Sequence, residues 1–281
     1  GQTLAENNIF RVHIDDQGRL LMAVGGSGLQ IFDPQRNHFE HIAPRSPSNP
    51  HGLRNLHIND LVPTPEGDYW VGGFQGLELF SPATGRSWVP QIHLPHTILD
   101  LHLNRDGLLW IATEQGLFHF NPATLELAHT STKDGLTDEY ILGIEEDSLG
   151  FLWLGTRNGL IRFDPLSKEM ETFDQHDGLA GMRFNRFAHL RTRAGLLYFG
   201  TPQGFSFFAP RHLPRNEYPP QVHFTELQIN HQVQRPGESP WLERTLDRTT
   251  HLVLPNTATD IQLSFAATNL MNGSGFLAVY L

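Results

Sequence analysis

One short phrase recurs along the first 210 residues, and it constrains the fold more than any other feature. It comprises a glycine, an apolar run with an aromatic residue, a second glycine nine positions after the first, another apolar run and a proline. Apolar runs of strand length bounded by turn residues are typical of β-hairpins. Four clear copies and one weaker copy, which has an extra residue, occupy residues 67–82, 107–122, 150–165, 195–210 and 18–34.

The spacing of these copies predicts the architecture. Successive closing glycines lie 40 to 48 residues apart, at Gly28, Gly76, Gly116, Gly159 and Gly204. A period in the forties that is built from strands is typical of propeller blades of about four strands each. We therefore predict an all-β chain in which residues 1–213 form a β-propeller with five visible blades.

A second domain is predicted over residues 214–281, after a linker that contains Pro214, Pro219 and Pro220. Strand patterns at 222–230, 232–234, 252–254, 260–266 and 276–281 favour a small immunoglobulin-like β-sandwich. The last of these strands has no partner after it in the sequence. We therefore expect this domain to be incomplete at the C-terminus.

Composition and the absence of known motifs argue against several classes of partner and of active site. The net charge of −10 and the lack of a Lys/Arg cluster argue against nucleic acid and anionic membranes as partners. The chain has no cysteine, which excludes disulfides, thiolate metal sites and a cysteine nucleophile. No phosphate loop, serine elbow or zinc signature is present, and His93 and His96 fit a surface loop better than a metal site. We predict no cofactor, no metal and no bilayer-spanning run.

The hairpin at 147–160, Asp-Ser-Leu-Gly-Phe-Leu-Trp-Leu-Gly-Thr-Arg-Asn-Gly-Leu, resembles the repeat of the two-component regulator propeller family. Phe184-Asn185 and the hairpin that follows resemble that family's final blade. The first copy departs from the family's repeat, because Leu21 stands where the tryptophan is expected. The segment after it is similar to the three-Tyr (Y_Y_Y) immunoglobulin-like domain, and Tyr280 would be one of its tyrosines.

This resemblance implies a periplasmic, ligand-sensing region of a hybrid two-component or diguanylate-cyclase-linked receptor. It implies a seven-bladed ring with further blades upstream, which we favour over an unusual five-bladed ring, and a membrane connection only through a segment outside this chain. We also expect a homodimer that forms through the C-terminal domain. The resemblance predicts no catalytic activity for this region itself.

Residues that recur in the four clear repeats are predicted to be structural. Large aromatic side chains at one repeat position should pack between blades, at Trp70, Trp110, Trp153 and Tyr198. The closing glycines should supply positive φ angles in turns, at Gly76, Gly116, Gly159 and Gly204.

Binding residues are predicted where the repeats differ. In an antiparallel blade, the loop that enters the first strand and the loop between the second and third strands emerge on one face. Polar and aromatic residues of these loops could hold a glycan or a carboxylate through planar hydrogen bonds. The candidates for this ligand site are Glu114, Tyr140, Arg157, Asn158, Arg183 and Arg186.

Two other function classes remain open. The propeller could be a scaffold that binds another protein. It could also be a carbohydrate-active hydrolase with Glu114 and Glu139 as paired carboxylates, or a lyase with a histidine base. The histidines at 57, 96 and 189 belong to different repeats and form no recognisable constellation.

Overall fold

The computed structural model describes residues 3–94, 97–213, 221–254, 256–268 and 277–280. These residues form β-strands and single turns of 3₁₀-helix, and no helix among them is long and apolar enough to cross a membrane. They divide into two compact units. The first contains the described residues up to Leu213 together with Leu277–Tyr280, and the second contains those from Gln221 to Thr268.

The first unit consists of five four-stranded antiparallel sheets, which we number as blades 1 to 5 in chain order. The first strands of neighbouring blades lie against one another, so the first strand of each blade is its innermost. Blades 1 and 2 comprise β1 (Ile9–Ile14), β2 (Leu20–Val24), β3 (Gly28–Asp33), β4 (His38–His41), β5 (Ile58–Pro63), β6 (Tyr69–Gly73), β7 (Gly76–Ser81) and β8 (Arg86–Trp88). Blades 3 and 4 comprise β9 (Ile98–Leu103), β10 (Leu109–Thr113), β11 (Gly116–Asn121), β12 (Glu126–Thr130), β13 (Ile141–Glu146), β14 (Leu152–Thr156), β15 (Leu160–Phe163) and β16 (Met170–Phe173).

The fifth blade takes its outer strand from the end of the chain. Its first three strands are β17 (His189–Arg191), β18 (Leu197–Thr201) and β19 (Gly204–Phe208). A 3₁₀ turn at Pro210–His212 then leads the chain away and leaves the edge of β19 open. The strand Leu277–Tyr280 pairs antiparallel with that edge, and the backbone of Tyr280 lies opposite Gly204. The prediction of a strand at 276–281 was therefore wrong in placing it in the second domain's sandwich, because the open ladder of β19 accepts it.

The hairpin turns in three blades are closed by an Asp or Asn side chain that takes the place of a backbone acceptor. Asp147 Oδ1 accepts hydrogen bonds from the amides of Leu149 (2.8 Å) and Phe151 (3.1 Å). Its Oδ2 accepts one from the indole Nε1 of Trp153 at 3.0 Å. Asp15 and Asn104 cap the equivalent turns in the same way. Such side chains favour turns because they satisfy amides that the tight loop leaves unpaired.

Two separate constraints require a glycine at the closing position of the hairpin. Gly116 and Gly159 have φ angles of 110° and 100°, in the left-handed region that favours glycine. A β-carbon at Gly116 would lie 2.5 Å from the carbonyl oxygen of Thr130, and one at Gly159 would lie 2.6 Å from that of Phe173. Gly76 and Gly204 also have positive φ angles. The turn therefore excludes side chains both by its backbone conformation and by its close contact with the outer strand.

The recurring aromatic residue joins one blade to the next. Trp153 of blade 4 is fully buried, and its ring centre lies 4.7 Å from that of Phe208 in blade 5. Large aromatic pairs of this kind contribute much of the burial in a core. The same contact joins the earlier blades, at Trp70 with Phe120 and at Trp110 with Phe163.

The fifth blade differs from blades 2 to 4 on its far face. Tyr198 occupies the tryptophan position, but its ring stacks on Phe207 of its own blade, and Leu190 beside it is 58% exposed. The described residues form four hydrophobic clusters, one at each of the junctions from blade 1 to blade 5. Blades 1 and 5 meet through a stack of Phe10 on Phe187 at 5.4 Å. The seven-bladed ring stays a prediction.

The second unit contains β20 (Gln221–Ile229), β21 (Gln232–Gln234) and β22 (Ile261–Thr268), with β20 in the centre of one antiparallel sheet, and a 3₁₀ turn at Leu246–Arg248. Residues 252–254 form no strand there, and a proline without an amide donor follows them in the sequence. The immunoglobulin-like sandwich and its three-Tyr character stay predictions. The linker prolines at 214, 219 and 220 lie outside the described residues.

Candidate functional site

A cleft of about 490 Å³ opens among the loops of blades 4 and 5. The loop into β13, the turn between β14 and β15 and the loop into β17 form its walls. Its lining combines three arginines and an amide with aromatic and apolar side chains: Tyr140, Leu142, Arg157, Arg183, Phe184, Asn185, Arg186 and Pro202. This mixture of a few polar groups on an apolar wall is typical of small-molecule sites.

One carboxylate positions the blade 4 side of the cleft. Asp138 accepts a hydrogen bond from the amide of Tyr140 at 2.9 Å and another from the amide of Arg157 at 3.0 Å. These two bonds bring the loop and the turn together. The guanidinium carbon of Arg157 then lies 3.3 Å from the centre of the Tyr140 ring, in a cation–π contact. Arg157 is therefore held by an aromatic face, although most of its side chain is exposed to solvent.

The blade 5 side is a loop at residues 182–188 that backbone hydrogen bonds hold in place. The carbonyl of Met182 accepts from Gly159 at 2.8 Å, and the amide of Phe184 donates to Thr156 at 3.0 Å. The amide of Asn185 donates to Gly200 at 2.9 Å. The loop thus bridges β14, β15 and β18, and its side chains enter the cleft from a fixed backbone.

Arg186 is the most constrained of the three arginines. Its guanidinium carbon lies 4.8 Å from the centre of the Phe187 ring. Its Nε and Nη2 atoms are buried and have no hydrogen-bond partner among the described residues. Burial lowers the pKa of this guanidinium, and Tyr140, Asp100 and Glu114 partly oppose that shift. An arginine in this state has donors that the fold does not use.

The backbone beside Arg186 is strained. Phe187 has a φ of 63°, in the left-handed region that bulky residues rarely adopt. Its ring stacks on Phe10 of blade 1, which fixes it in that conformation. Strand β17 begins only at His189, because a left-handed residue such as Phe187 cannot continue a strand. Strain of this kind is typical of functional sites.

The structure brings four of the six predicted ligand residues together. Tyr140, Arg157, Arg183 and Arg186 line the cleft, whereas Asn158 and Glu114 do not. Both of the latter are exposed, and Glu114 acts on the cleft only through its charge near Arg186. The apolar part of the lining was missed, because residues such as Phe184 and Pro202 carry no chemical signal of their own. The available signal for Phe184 was its place beside Arg183 in the sequence, and Pro202 had none.

A second group of charged residues, which the sequence reasoning also missed, lies along the inner strands. Each blade contributes one residue from its first strand: Arg11, Asp60, Asp100, Glu145 and His189. We call this group the axial cluster. Its members are 40 to 49 residues apart, one in each repeat, so no local motif reveals them. The signal was that every inner strand contains a charged residue or a histidine beside its apolar ones.

Arg11 links the two aspartates of the axial cluster, Asp60 and Asp100. Its Nε donates to Asp60 Oδ1 at 2.5 Å and its Nη2 to Asp100 Oδ1 at 2.7 Å. The other carboxylate oxygens accept backbone amides of neighbouring blades, Leu101 for Asp60 (2.9 Å) and Ile144 for Asp100 (2.8 Å). Both carboxylates are 1% exposed. Their hydrogen bonds therefore connect blades 1 to 4 through buried polar groups.

His189 joins blade 5 to the same cluster. Its Nδ1 lies 2.9 Å from Glu145 Oε1, and its Nε2 makes an ionic contact of 3.3 Å with Asp100 Oδ2. Burial alone would lower the pKa of His189, but Asp100 and Glu145 outweigh it and raise the pKa to about 10. The ring fits only because residue 143 is a glycine, since a β-carbon there would overlap it.

The pKa values of the two axial aspartates shift in opposite directions. Burial and the charge of Asp100 raise the pKa of Asp60, against the opposing effect of Arg11. Burial would also raise the pKa of Asp100, but His189 and Arg11 lower it. The cluster thus holds buried charge that is largely compensated within itself.

Three of the candidate catalytic residues already make contacts within the fold. Glu139 accepts hydrogen bonds from the amide and hydroxyl of Thr132, and these bonds lower its pKa, which is the wrong direction for a general acid. His57 stacks on Phe74, and His189 belongs to the axial cluster. His96 lies outside the described residues. Within the described ranges, no group of three or more His, Asp or Glu side chains could hold a metal ion.

Residues 135–158 match the family model described as two-component regulator propeller. Structural matches fall on similar folds at low identity. The extracellular domain of a putative hybrid two-component system from B. thetaiotaomicron aligns with a TM-score of 0.56 at 17% identity, over 99% of this chain and 46% of that one. Virginiamycin B lyase from Staphylococcus aureus aligns with a TM-score of 0.56 at 10% identity, over 77% and 74%.

A third match is PorZ, a surface component of the type-IX secretion system of Porphyromonas gingivalis, with a TM-score of 0.52 at 14% identity over 95% of this chain and 46% of that one. A comparison with curated proteins gave no match. The chain spans about half of the first of these structures. These likenesses show a propeller-type fold that hosts sensors, a lyase and a secretion component, so function must be argued from the site.

Proposed function

We propose that this chain is part of the ligand-sensing region of a two-component-type receptor, and that it binds a glycan or small metabolite in the cleft between the loops of blades 4 and 5. The observation that carries the proposal is the set of three arginines around one apolar-walled cleft. Among the described residues, Arg157, Arg183 and Arg186 form no ion pair. Arginines held without a structural partner are suited to recognise a ligand.

The family match over residues 135–158 supports the signalling context. This segment contains Tyr140 and Arg157, so the matched hairpin and the proposed site overlap. An extracytoplasmic, periplasmic location and a homodimer through the second unit are further parts of the proposal. A signal would require that the ligand binds one arrangement of the receptor better than another.

A thermal-shift screen of the chain against glycans and small metabolites tests this function. A ligand that binds only the folded state raises the melting temperature in a saturable way. We expect hits that weaken in Arg157→Gln and Arg183→Gln and persist in Arg193→Gln, which changes an exposed arginine in a turn. A folded protein that gives no hit over a broad panel would favour the scaffold alternative.

The enzyme alternative needs a separate assay. The panel ligands are incubated with the protein, and products are separated and quantified. We expect no turnover. Turnover that is lost in Glu114→Gln or Glu139→Gln would contradict a purely sensory role.

A further inference from the structure

The cleft between blades 4 and 5 contains positive charge that no carboxylate of the described residues neutralises by pairing. Three guanidinium groups line it, and none of them has a carboxylate partner among the described residues. The nearest acidic influence on Arg186 comes from Asp100 and Glu114, and Asp100 is already bonded to Arg11. Such an arrangement attracts an anion from solution.

Arg186 specifies what kind of anion would fit. Its Nε and Nη2 are adjacent donors on one edge of the guanidinium plane, and both are buried without a partner among the described residues. A ligand therefore reaches this edge only when the half-buried side chain turns toward the cleft that it lines. Buried donors are nearly always paired in folded proteins, so an unpaired edge requires an explanation. A carboxylate supplies two coplanar oxygens at the spacing of two such donors.

The site is also organised before any ligand arrives. Phe187 is held at a φ of 63° by its stack on Phe10, and its ring supports the Arg186 guanidinium. Arg157 rests on Tyr140, and Asp138 holds both of their amides. Because these neighbours are fixed in advance, little beyond the Arg186 side chain has to be ordered when a ligand binds.

The rest of the lining suits the body of a sugar rather than a bare ion. Pro202 offers exposed apolar surface beside the edges of the buried Leu142 and Phe184, and Asn185 offers an amide that can bond hydroxyl groups. The volume of about 490 Å³ exceeds what a single carboxylate needs.

We propose that this cleft binds an acidic sugar through its carboxylate, with Arg186 as the bidentate partner and Arg157 and Arg183 at its rim. This inference rests on the proposed ligand-sensing function and names the ligand class. A carboxylate could also come from a small organic acid, and the experiment separates the two sources.

Isothermal titration calorimetry compares matched ligands on the 281-residue chain. D-galacturonate and D-glucuronate, and their short oligomers, carry the carboxylate, D-galactose and D-glucose lack it, and succinate has the carboxylate without the sugar. We expect each acidic sugar to bind at least tenfold more tightly than its neutral counterpart and than succinate. Arg186→Lys should remove most of that preference, because lysine keeps the charge but loses the planar pair of donors. Arg193→Lys serves as the matched control and should bind as the native chain does.

Each other outcome overturns the inference. Equal binding of acidic and neutral sugars, weakened by Tyr140→Ala, would disprove the carboxylate while leaving the sensing function intact. Stronger binding of succinate would assign the cleft to organic acids. No binding of any of these probes, or an unchanged preference in a folded Arg186→Lys, would reject acidic sugars as its ligands, and the sensing function itself fails only if the broad ligand screen also fails. The native chain's preference is measured without any variant, so a misfolded variant does not rescue the idea.

Discussion

Two arginines of the first unit, Arg11 and Arg186, show how the same side chain serves structure in one place and is left available in another. Arg11 donates to two carboxylates that are each 1% exposed, and those carboxylates accept amides from the next blades. Arg186 has two buried donors that have no hydrogen-bond partner among the described residues. The pKa of Arg11 is raised, because Asp60 and Asp100 outweigh the cost of burial, whereas burial lowers that of Arg186.

The comparison shows that a structural arginine differs from a binding one in whether its donors are already bonded, rather than in its charge or its burial. Removing one member of a buried pair is costly because the remaining charge stays uncompensated. Removing a donor that has no partner takes away a cost instead. The two arginines should therefore respond in opposite ways to the same substitution.

The largest effect is expected for Arg11→Met. This change leaves Asp60 and Asp100 buried side by side without their shared cation, and we expect a loss of about 3 kcal/mol in the free energy of unfolding. Urea denaturation followed by tryptophan fluorescence measures it. Arg193→Met, at an exposed turn, is the matched control and should change stability by less than about 0.5 kcal/mol. A loss below about 1 kcal/mol for Arg11→Met would show that the axial cluster does not hold the blades together.

A smaller effect is expected for Gly143→Ala. The added methyl group overlaps the ring of His189 and should displace it from Asp100 and Glu145, at a cost of about 1–3 kcal/mol. The same denaturation assay detects it. In a His189→Ala background the penalty should largely disappear, because the methyl group then meets an empty space. An equal penalty in both backgrounds would mean that Gly143 matters for another reason.

The pH dependence of stability tests the same cluster. His189 has a folded pKa of about 10, above its ordinary value of 6.5, so its contribution is fully present below pH 6.5. It is lost as the pH rises through 10, with a slope of up to about 1.4 kcal/mol per pH unit. Chemical denaturation between pH 7 and 10 should show this decline, and His189→Gln should flatten it. His176→Gln, at an exposed 3₁₀ turn, should leave the slope unchanged.

The smallest change in stability is expected at the ligand cleft. Arg186→Met removes two unpaired donors from a half-buried position, so the free energy of unfolding should stay the same or rise by up to about 1 kcal/mol. The measurement is made beside Arg11→Met under identical conditions. A loss above about 2 kcal/mol would mean that Arg186 has a structural role and would remove the contrast between the two arginines.

The repeat made the blades predictable, because its glycines, aromatic residues and Asp turns lie close together in the sequence. The hairpin at 147–160 shows this. Trp153 donates a hydrogen bond to Asp147 within the hairpin, and Gly159 supplies the positive φ angle of its turn. The outer strand of blade 5 was not predictable in the same way. It comes from residues 277–280, about seventy positions after β19, and only the open edge of that strand explains its position.

The candidate site was predictable in part. Antiparallel geometry placed the loops of Tyr140, Arg157, Arg183 and Arg186 on one face, and the cleft unites them. It could not show that two donors of Arg186 lack hydrogen-bond partners among the described residues, or that Phe187 is strained where it stacks on Phe10 of the first blade, since both features depend on contacts between distant parts of the chain. The axial cluster was missed for the same reason, because its members belong to five different blades.

Nuclear magnetic resonance of the chain labelled with ¹⁵N-arginine tests the central claim most directly. The Nε–Hε signals of Arg11 and Arg186 are assigned by substitution, and D-galacturonate is titrated into the sample. We expect the Arg186 signal to shift in a saturable way while that of Arg11, already bonded to Asp60, stays in place. A folded spectrum in which the Arg186 signal does not move at saturating D-galacturonate, or moves no more than that of Arg193, would contradict it.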